Sequence, residues 1–254
     1  MTAALLPAKI QEQEEEVAAM PGILDRVEAR GDRSVLLGTE VAVAEAVDRL
    51  EAGENAEAVR RALGLRASDL VVAIAAAGLG SGEDDGPPLV HARPRRPKLA
   101  EAVSEQNLVA LFPDADRPSL LALAGGLLQI LDAWEASHHA SQEADDRGER
   151  TSSLYWHGIA HRREPDPGNA SYWFRRVGRH PDFVTLAEAA RPILRDHGDD
   201  ALTARLLRDG WDPFAFIDSS TAAPQGSPSA TVLGRIQRLE MSILLSTSLR
   251  HADR

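Results

Sequence analysis

The sequence predicts a mainly α-helical protein, in which a small helix-turn-helix module is followed by an all-helical bundle domain. Between residues 118 and 145 the apolar residues recur at helical spacing, and no segment after residue 98 shows the apolar–polar alternation of a strand. Between residues 56 and 79 two helical segments are joined by a three-residue turn that contains glycine, which is the pattern of a helix-turn-helix.

The composition excludes several functional classes. The chain has 254 residues, enough for one large domain or two small ones, and a formal net charge of −11. This acidic balance disfavours general binding to nucleic acid or to anionic membranes. The chain has no cysteine, which excludes disulfides, thiolate catalysis and cysteine-ligated zinc. It shows neither an apolar stretch of membrane-spanning length nor a signal-peptide pattern, so we expect a cytoplasmic protein with no membrane partner.

The N-terminal arm is assigned to residues 1–33, with a short acidic helix over residues 9–20. The helix-turn-helix module begins with two short β-prone pieces. They cover residues 34–38 and 40–43, on either side of a Gly38–Thr39 turn.

The rest of the module, which extends over residues 34–79, is predicted to be helical. A first helix ends at Gly53, where the lack of a side chain permits a left-handed C-cap. Asn55 has the side chain that caps a second helix over residues 56–63. The third helix begins near Ala67 or Ser68 and continues to residue 79.

Residues 34–79 resemble a small domain family of unknown function that is often grouped with antitoxins. The resemblance implies a regulatory protein that binds DNA or a partner protein through the module. However, Glu40 stands where that family usually has a basic residue, and the segment holds seven acidic and four basic residues. A DNA-binding surface is normally basic, so DNA binding is disfavoured, and packing or homo-oligomerisation is the expected role. The matching residues are Gly38, Thr39, Val41, Val43, Gly53, Glu57, Val59, Leu65, Asp69 and Ala73.

Residues 80–98 are rich in proline, glycine and charge and are predicted to be a linker, which leaves residues 99–254 as the helical domain. Pro192 is expected to kink or break its helix. Helices are predicted at 99–112, 118–145, 153–164, 169–178, 182–198, 200–210 and 230–249, with a loop at 211–229.

The segment 152–183 concentrates histidine, arginine and aromatic residues in a chain otherwise poor in aromatics. His157, His161 and Glu164 are spaced at i, i+4 and i+7 and therefore share one face of a helix. Antiparallel packing against the preceding helix would bring His138 towards His157 or His161. From His157 to His180 there are five arginines against two acidic residues, a local excess of about +3.

Three interpretations of this segment remain open. The first is a divalent metal site, with His138, His157, His161 and Glu164 as ligands, although nearby arginines would repel a cation. The second is a pocket for a small polar or anionic molecule, held by arginine forks and walled by aromatic rings. The third is a structural network of buried ion pairs. Residues predicted to line the pocket are His138, Gln142, His157, His161, Arg162, Glu164, Tyr172, Trp173, Arg175 and Arg176.

The same segment resembles a family of uncharacterised helical proteins with a WHGI-x-HRRE motif followed by YWFRRVG-x-HP. The resemblance covers about residues 130–183 and implies that His138 and the following helical hairpin act as one unit. It implies no reaction. The sequence therefore predicts a ligand-binding helical protein, leaves catalysis open and assigns no catalytic residue. The matching residues are Ser137, His138, Ser141, Gln142, Trp156, His157, Gly158, His161, Arg162, Arg163, Glu164, Asp166, Asn169, Tyr172, Trp173, Arg175, Arg176, Val177, Gly178, His180 and Pro181.

Overall fold

The computed structural model describes residues 22–82 and 85–254, and these residues are mainly helical. A 3-10 helix, Ile23–Arg26, leads into an antiparallel hairpin of β1 (Val27–Arg30) and β2 (Arg33–Leu36). The predicted strand at 40–43 is wrong, because Val43 already begins a helix and only a single bridge joins Val35 to Ala42. The predicted helix at 9–20 lies outside the described residues.

Three helices follow the hairpin: α1 (Val43–Glu51), α2 (Ala56–Leu63) and α3 (Ala67–Leu79). The Asn55 side chain accepts hydrogen bonds from the backbone N–H groups of Glu57 and Ala58, as its capping role predicts. Helix α3 is buried along almost its whole length and belongs to the core.

Helices α2 and α3 are bent by 108° relative to each other. Within the described ranges, no single helix is long and apolar enough to cross a membrane, and only this bent pair passes that test when its two helices are taken together.

Two predicted helices are each divided in the structure. The segment 99–112 forms α4 (Pro97–Ala102) and α5 (Glu105–Leu111), because the hydroxyl of Ser104 caps the second helix at the backbone N–H of Asn107. The segment 118–145 forms α6 (Arg117–Ile130) and α7 (Trp134–Asp146). Asp132, between them, has a left-handed backbone with φ of 61°, and its carboxylate forms a buried ion pair with Arg163.

The remaining helices form the C-terminal half. The Asp166 carboxylate caps α9, which begins two residues before the predicted start at residue 169, and Asp212 caps α12 inside the predicted loop at 211–229. Pro192 lies inside α10, and the helix continues past it. The helices are α8 (Ser153–Arg163), α9 (Pro167–Val177), α10 (Asp182–His197), α11 (Asp200–Leu207), α12 (Pro213–Ala222) and α13 (Pro228–Ala252).

The main apolar core includes buried side chains from both sides of residues 80–98, among them those of α3, α6, α8 and α13. A smaller cluster joins α10, α11 and α12 to the first half of α13. Packing between α6 and α8 is close, since a Cβ atom placed on Gly126 would lie 2.6 Å from the buried indole ring of Trp156. The division of the chain at residues 80–98 stays a prediction.

Candidate functional site

Three imidazole rings meet between helices α7 and α8. The Nε2 atom of His138, on α7, lies 2.9 Å from Nε2 of His157 and 3.3 Å from Nε2 of His161. His157 and His161 are one helical turn apart on α8, and their rings stack with centroids 5.0 Å apart. The packing of α7 against α8 therefore brings His138 to both histidines of α8. We call these three residues the histidine cluster.

Contacts between the start of α7 and the last turns of α8 fix this packing. Arg163, at the end of α8, binds Asp132 and also donates a hydrogen bond of 3.0 Å to the backbone carbonyl of Gln129 at the end of α6. The indole N–H of Trp134, the first residue of α7, donates a bond of 2.8 Å to the carbonyl of Ala160. The break between α6 and α7 is therefore stabilised by the helix that carries two of the histidines.

Aromatic rings enclose the histidine cluster. Trp173 of α9 stacks on His157 with ring centroids 3.7 Å apart, and Trp134 stacks on His138 at 5.2 Å. Helix α9 can approach α8 because residue 158 is glycine: a Cβ atom there would lie 2.8 Å from the ring of Phe174. His157 and His161 are consequently almost fully buried, whereas His138 is half-buried. Solvent reaches the cluster from the side of α7.

Two of the three imidazoles in the cluster favour the uncharged state. Burial, together with the neighbouring His138 and His161, lowers the pKa of His157 from 6.5 to about 3, and burial also lowers the pKa of His138. On the outer side of the cluster, Nδ1 of His161 lies 2.8 Å from Oε2 of Glu164. Because a carboxylate only accepts, Nδ1 of His161 is the donor in this contact, and the tautomer with its proton on Nδ1 has a lone pair on Nε2.

Glu164 lies on the opposite side of His161 from the other two histidines. The sequence had grouped it with all three histidines as a metal ligand, but it contacts Nδ1, whereas the Nε2 atoms converge elsewhere. Among the described residues, two groups have the spacing of a metal site: the histidine cluster, and His161 with Glu164 and Asp166. In the second group both carboxylates are exposed and Asp166 already caps α9.

Two arginines predicted near the site are held in buried ion pairs instead. Both terminal nitrogens of Arg162 contact the carboxylate of Glu240 on α13, which also accepts a hydrogen bond of 2.9 Å from Tyr155. Arg163 is paired with Asp132, and all four charged side chains are at most 1 % exposed. The forks of these arginines are therefore already filled by carboxylates of the protein.

The other predicted pocket residues lie at the periphery. Arg176 covers the Trp173 ring at 4.6 Å from its centroid, while Arg175 and Tyr172 are exposed. Among the described residues, Gln142 forms no hydrogen bond with the histidine cluster. The remaining contacts are Gln142 with Asp146 at 2.9 Å, Arg176 with Asp145 at 2.9 Å, Tyr172 edge-on to Trp173 at 5.3 Å, and Arg175 at 6.0 Å from the ring centroid of Phe214.

Three residues of the site were not predicted from the sequence. His91 is half-buried and stacks on Trp134 with centroids 5.1 Å apart. Asp132 and Glu240 are buried partners of arginines far away in sequence. Asp132 and Glu240 both have a signal in the sequence, since each is an acidic residue next to an apolar run.

Comparisons with protein-family models, with curated proteins and with solved structures found no match to this chain. The two family resemblances stay predictions, and the functional argument rests on the geometry of the histidine cluster.

Proposed function

We propose that this protein binds one divalent metal ion through Nε2 of His138, His157 and His161. Zinc is the ion that we expect to be favoured. The observation that carries the proposal is the convergence of His157 and His161, both buried, on Nε2 of His138, together with the lowered pKa of His157. Neutral imidazole is the form that binds zinc and the later transition metals. We further propose that the open coordination position of the metal takes a small polar or anionic molecule.

The distances between the nitrogens support a zinc-sized ion. Zinc–nitrogen bonds of about 2.0–2.1 Å in tetrahedral geometry require nitrogens about 3.3–3.4 Å apart. The separations of 2.9 and 3.3 Å from His138 need only a small opening of the rings. Three protein ligands leave the fourth position to water or to a ligand, which is the arrangement of open zinc sites.

The surroundings of the cluster support the same proposal. A carboxylate on the second nitrogen of a metal-binding histidine orients the ring and raises its basicity, and Glu164 has this position on His161. Arg162 and Arg163, whose charge would oppose a cation, are each paired with a buried carboxylate. An anion pocket built on the forks of these two arginines is correspondingly disfavoured.

Elemental analysis after dialysis against zinc tests the proposal. We expect about one equivalent of zinc per chain in the wild type and nearly none in His138→Ala, because two imidazoles hold zinc far less tightly than three. His139→Ala is the matched control, since His139 is the next residue on α7 and is exposed. Less than about a tenth of an equivalent in the wild type, or full zinc content in His138→Ala, would contradict the metal site.

The open position is tested separately on protein loaded with cobalt(II), whose visible absorption reports changes in coordination. Titration with acetate or phosphate should shift that absorption in a saturable manner. Unchanged spectra with both anions would contradict the proposed anionic ligand but not the metal site.

We also propose that residues 34–79 form a helix-turn-helix that serves packing or self-association. The 108° bend between α2 and α3, at a turn where Gly64 has φ of 64°, supports the assignment. In a DNA-binding module the second helix is exposed to enter the groove, whereas α3 is buried. A gel-shift assay at low salt should show no retardation of duplex DNA, and salt-sensitive retardation would contradict this role.

A further inference from the structure

A cavity of about 740 Å³ lies between the segment 86–92 and helices α12 and α13. Side chains of Pro88, Leu89, Ala223 and Ala230 give it a largely apolar wall. The segment is fixed by hydrogen bonds, because the buried amide of Gln237 donates to the carbonyls of Pro87 and Pro88 at 3.0 Å. Hydrogen bonds therefore hold this wall of the cavity in place, and the cavity volume lies within the range of sites for small organic molecules.

Two buried polar atoms of residues in the wall have no hydrogen-bond partner in the part of the chain that the structure describes. They are Oγ of Ser220 and Nε of Arg162, in residues that are 7 % and 2 % exposed. A buried polar atom without a partner is costly, so such atoms next to a cavity mark places where a ligand can complete the bonding. Both atoms can donate a hydrogen bond to an acceptor.

The charges of the wall indicate an uncharged ligand. Both terminal nitrogens of Arg162 are bound to Glu240 and one of them also to Gln237, so Nε is the nitrogen of this side chain that has no partner among the described residues. Arginine normally recognises a carboxylate or phosphate with two N–H groups side by side, and in Arg162 the terminal nitrogens already contact Glu240. Arg235, the other arginine of the wall, is also engaged in an interaction.

We infer that this cavity is a second binding site, separate from the histidine cluster, for an uncharged and mainly apolar organic molecule with a hydrogen-bond acceptor such as a ring carbonyl. The acceptor bonds to Nε–H of Arg162 or to the hydroxyl of Ser220, and the apolar body lies against the prolines and alanines of the wall. The inference is independent of the metal proposal, because none of the three cluster histidines lines the cavity.

The probe is Nile red, a neutral aromatic dye with a ring carbonyl whose fluorescence rises in an apolar site. Wild-type protein should bind it saturably with one site per chain. Gly234→Leu places a side chain on the cavity wall, where a Cβ atom meets nothing within 4 Å, so the variant should fold. We expect it to weaken binding roughly tenfold or more by filling the cavity.

Two further variants make the result specific. Ser229→Leu, on the same helix but outside the wall, is the matched control and should bind like the wild type. Ser220→Ala should weaken binding roughly two- to tenfold, the effect of one hydrogen bond, without lowering the melting temperature. The anionic dye anilinonaphthalene sulfonate should bind more weakly than Nile red.

Three results would overturn the inference: no saturable binding of Nile red by the wild type, equal binding by Gly234→Leu, or tighter binding of the anionic dye. Zinc content, measured on the same variants, should not change. A failure of the metal proposal is therefore distinguishable from a failure of this one.

Discussion

Acid should destabilise the metal-free protein through His157, and His157→Phe should remove this sensitivity. The pKa of His157 is lowered from 6.5 to about 3, mainly by burial. On acidification the unfolded chain takes up this proton first, near pH 6.5, while the folded chain resists it. The stability that is fully present above that pH is therefore lost as the pH falls towards the folded pKa.

The magnitude follows from the size of the shift. Between the unfolded and folded pKa values, each unit by which the pH falls lowers the free energy of unfolding by about 1.4 kcal/mol. Lowering the pH from about 6.5 to about 4.5 therefore lowers it by roughly 2–3 kcal/mol. Phenylalanine preserves the stacking on Trp173 and does not titrate. The free energy of unfolding, measured by urea titration with a chelator at about pH 7 and pH 4.5, should fall by that much more in the wild type than in His157→Phe.

His139→Gln is the control, because His139 neighbours the cluster in sequence but is exposed. It should lose stability with acid to the same extent as the wild type. Other groups that titrate in this range do so in all three proteins, so their contribution largely cancels in the comparison. Equal losses in the wild type and His157→Phe would refute the idea that the cluster holds its imidazoles uncharged.

Three further predictions concern the framework. Arg162→Met leaves the charge of Glu240 buried without its partner and should lower the free energy of unfolding in urea by about 3–5 kcal/mol. The added change Glu240→Gln should recover most of this loss. A loss below about 1 kcal/mol in the single variant would contradict the importance of the ion pair. Gly126→Ala should lower stability by about 1–3 kcal/mol, because the added Cβ meets the rigid indole of Trp156. Gly234→Ala, in open space on α13, should raise stability by about 0.5–1 kcal/mol. Stability changes of the same sign in thermal unfolding of the two variants would refute the packing argument. Asn55→Ala should cost about 1 kcal/mol in urea unfolding through loss of the cap, and an unchanged midpoint would show that the cap contributes nothing.

The sequence was sufficient for features that depend on local chemistry. The helical class follows from apolar spacing, and the cap at Asn55 follows from the side chain itself. The convergence of His138 with His157 and His161 could be predicted because two packed helices must bring some of their facing residues together. The Asp212–Pro213 start of α12 was an available local signal that the prediction of a loop missed.

Features that depend on distant partners could not be predicted in this way. The apolar spacing continues from α6 towards α7, so the sequence predicts one helix, yet the chain breaks at Asp132. The break is stabilised by an ion pair with Arg163, which is 31 residues away. Likewise the hairpin partner of β2 lay in the segment assigned to the N-terminal arm, because its four residues show no strong strand pattern alone.

The arginines of the segment 157–180 change the functional argument most. Their local excess of positive charge suggested an anion pocket, but three of the five are paired with carboxylates from outside the segment in the described structure: Arg162 with Glu240, Arg163 with Asp132 and Arg176 with Asp145. The carboxylates of Glu240 and Asp132 each offset one of these charges, whereas that of Asp145 is shared between Arg176 and Arg150, so the two buried arginines next to the histidines add little net charge. Because two of these pairs anchor α8, the arginines act by holding in place the helix that presents two imidazoles. A nitrogen cluster whose buried arginine neighbours are paired with carboxylates is suited to a cation, which is why the metal proposal is favoured over the anion pocket that the composition alone suggested.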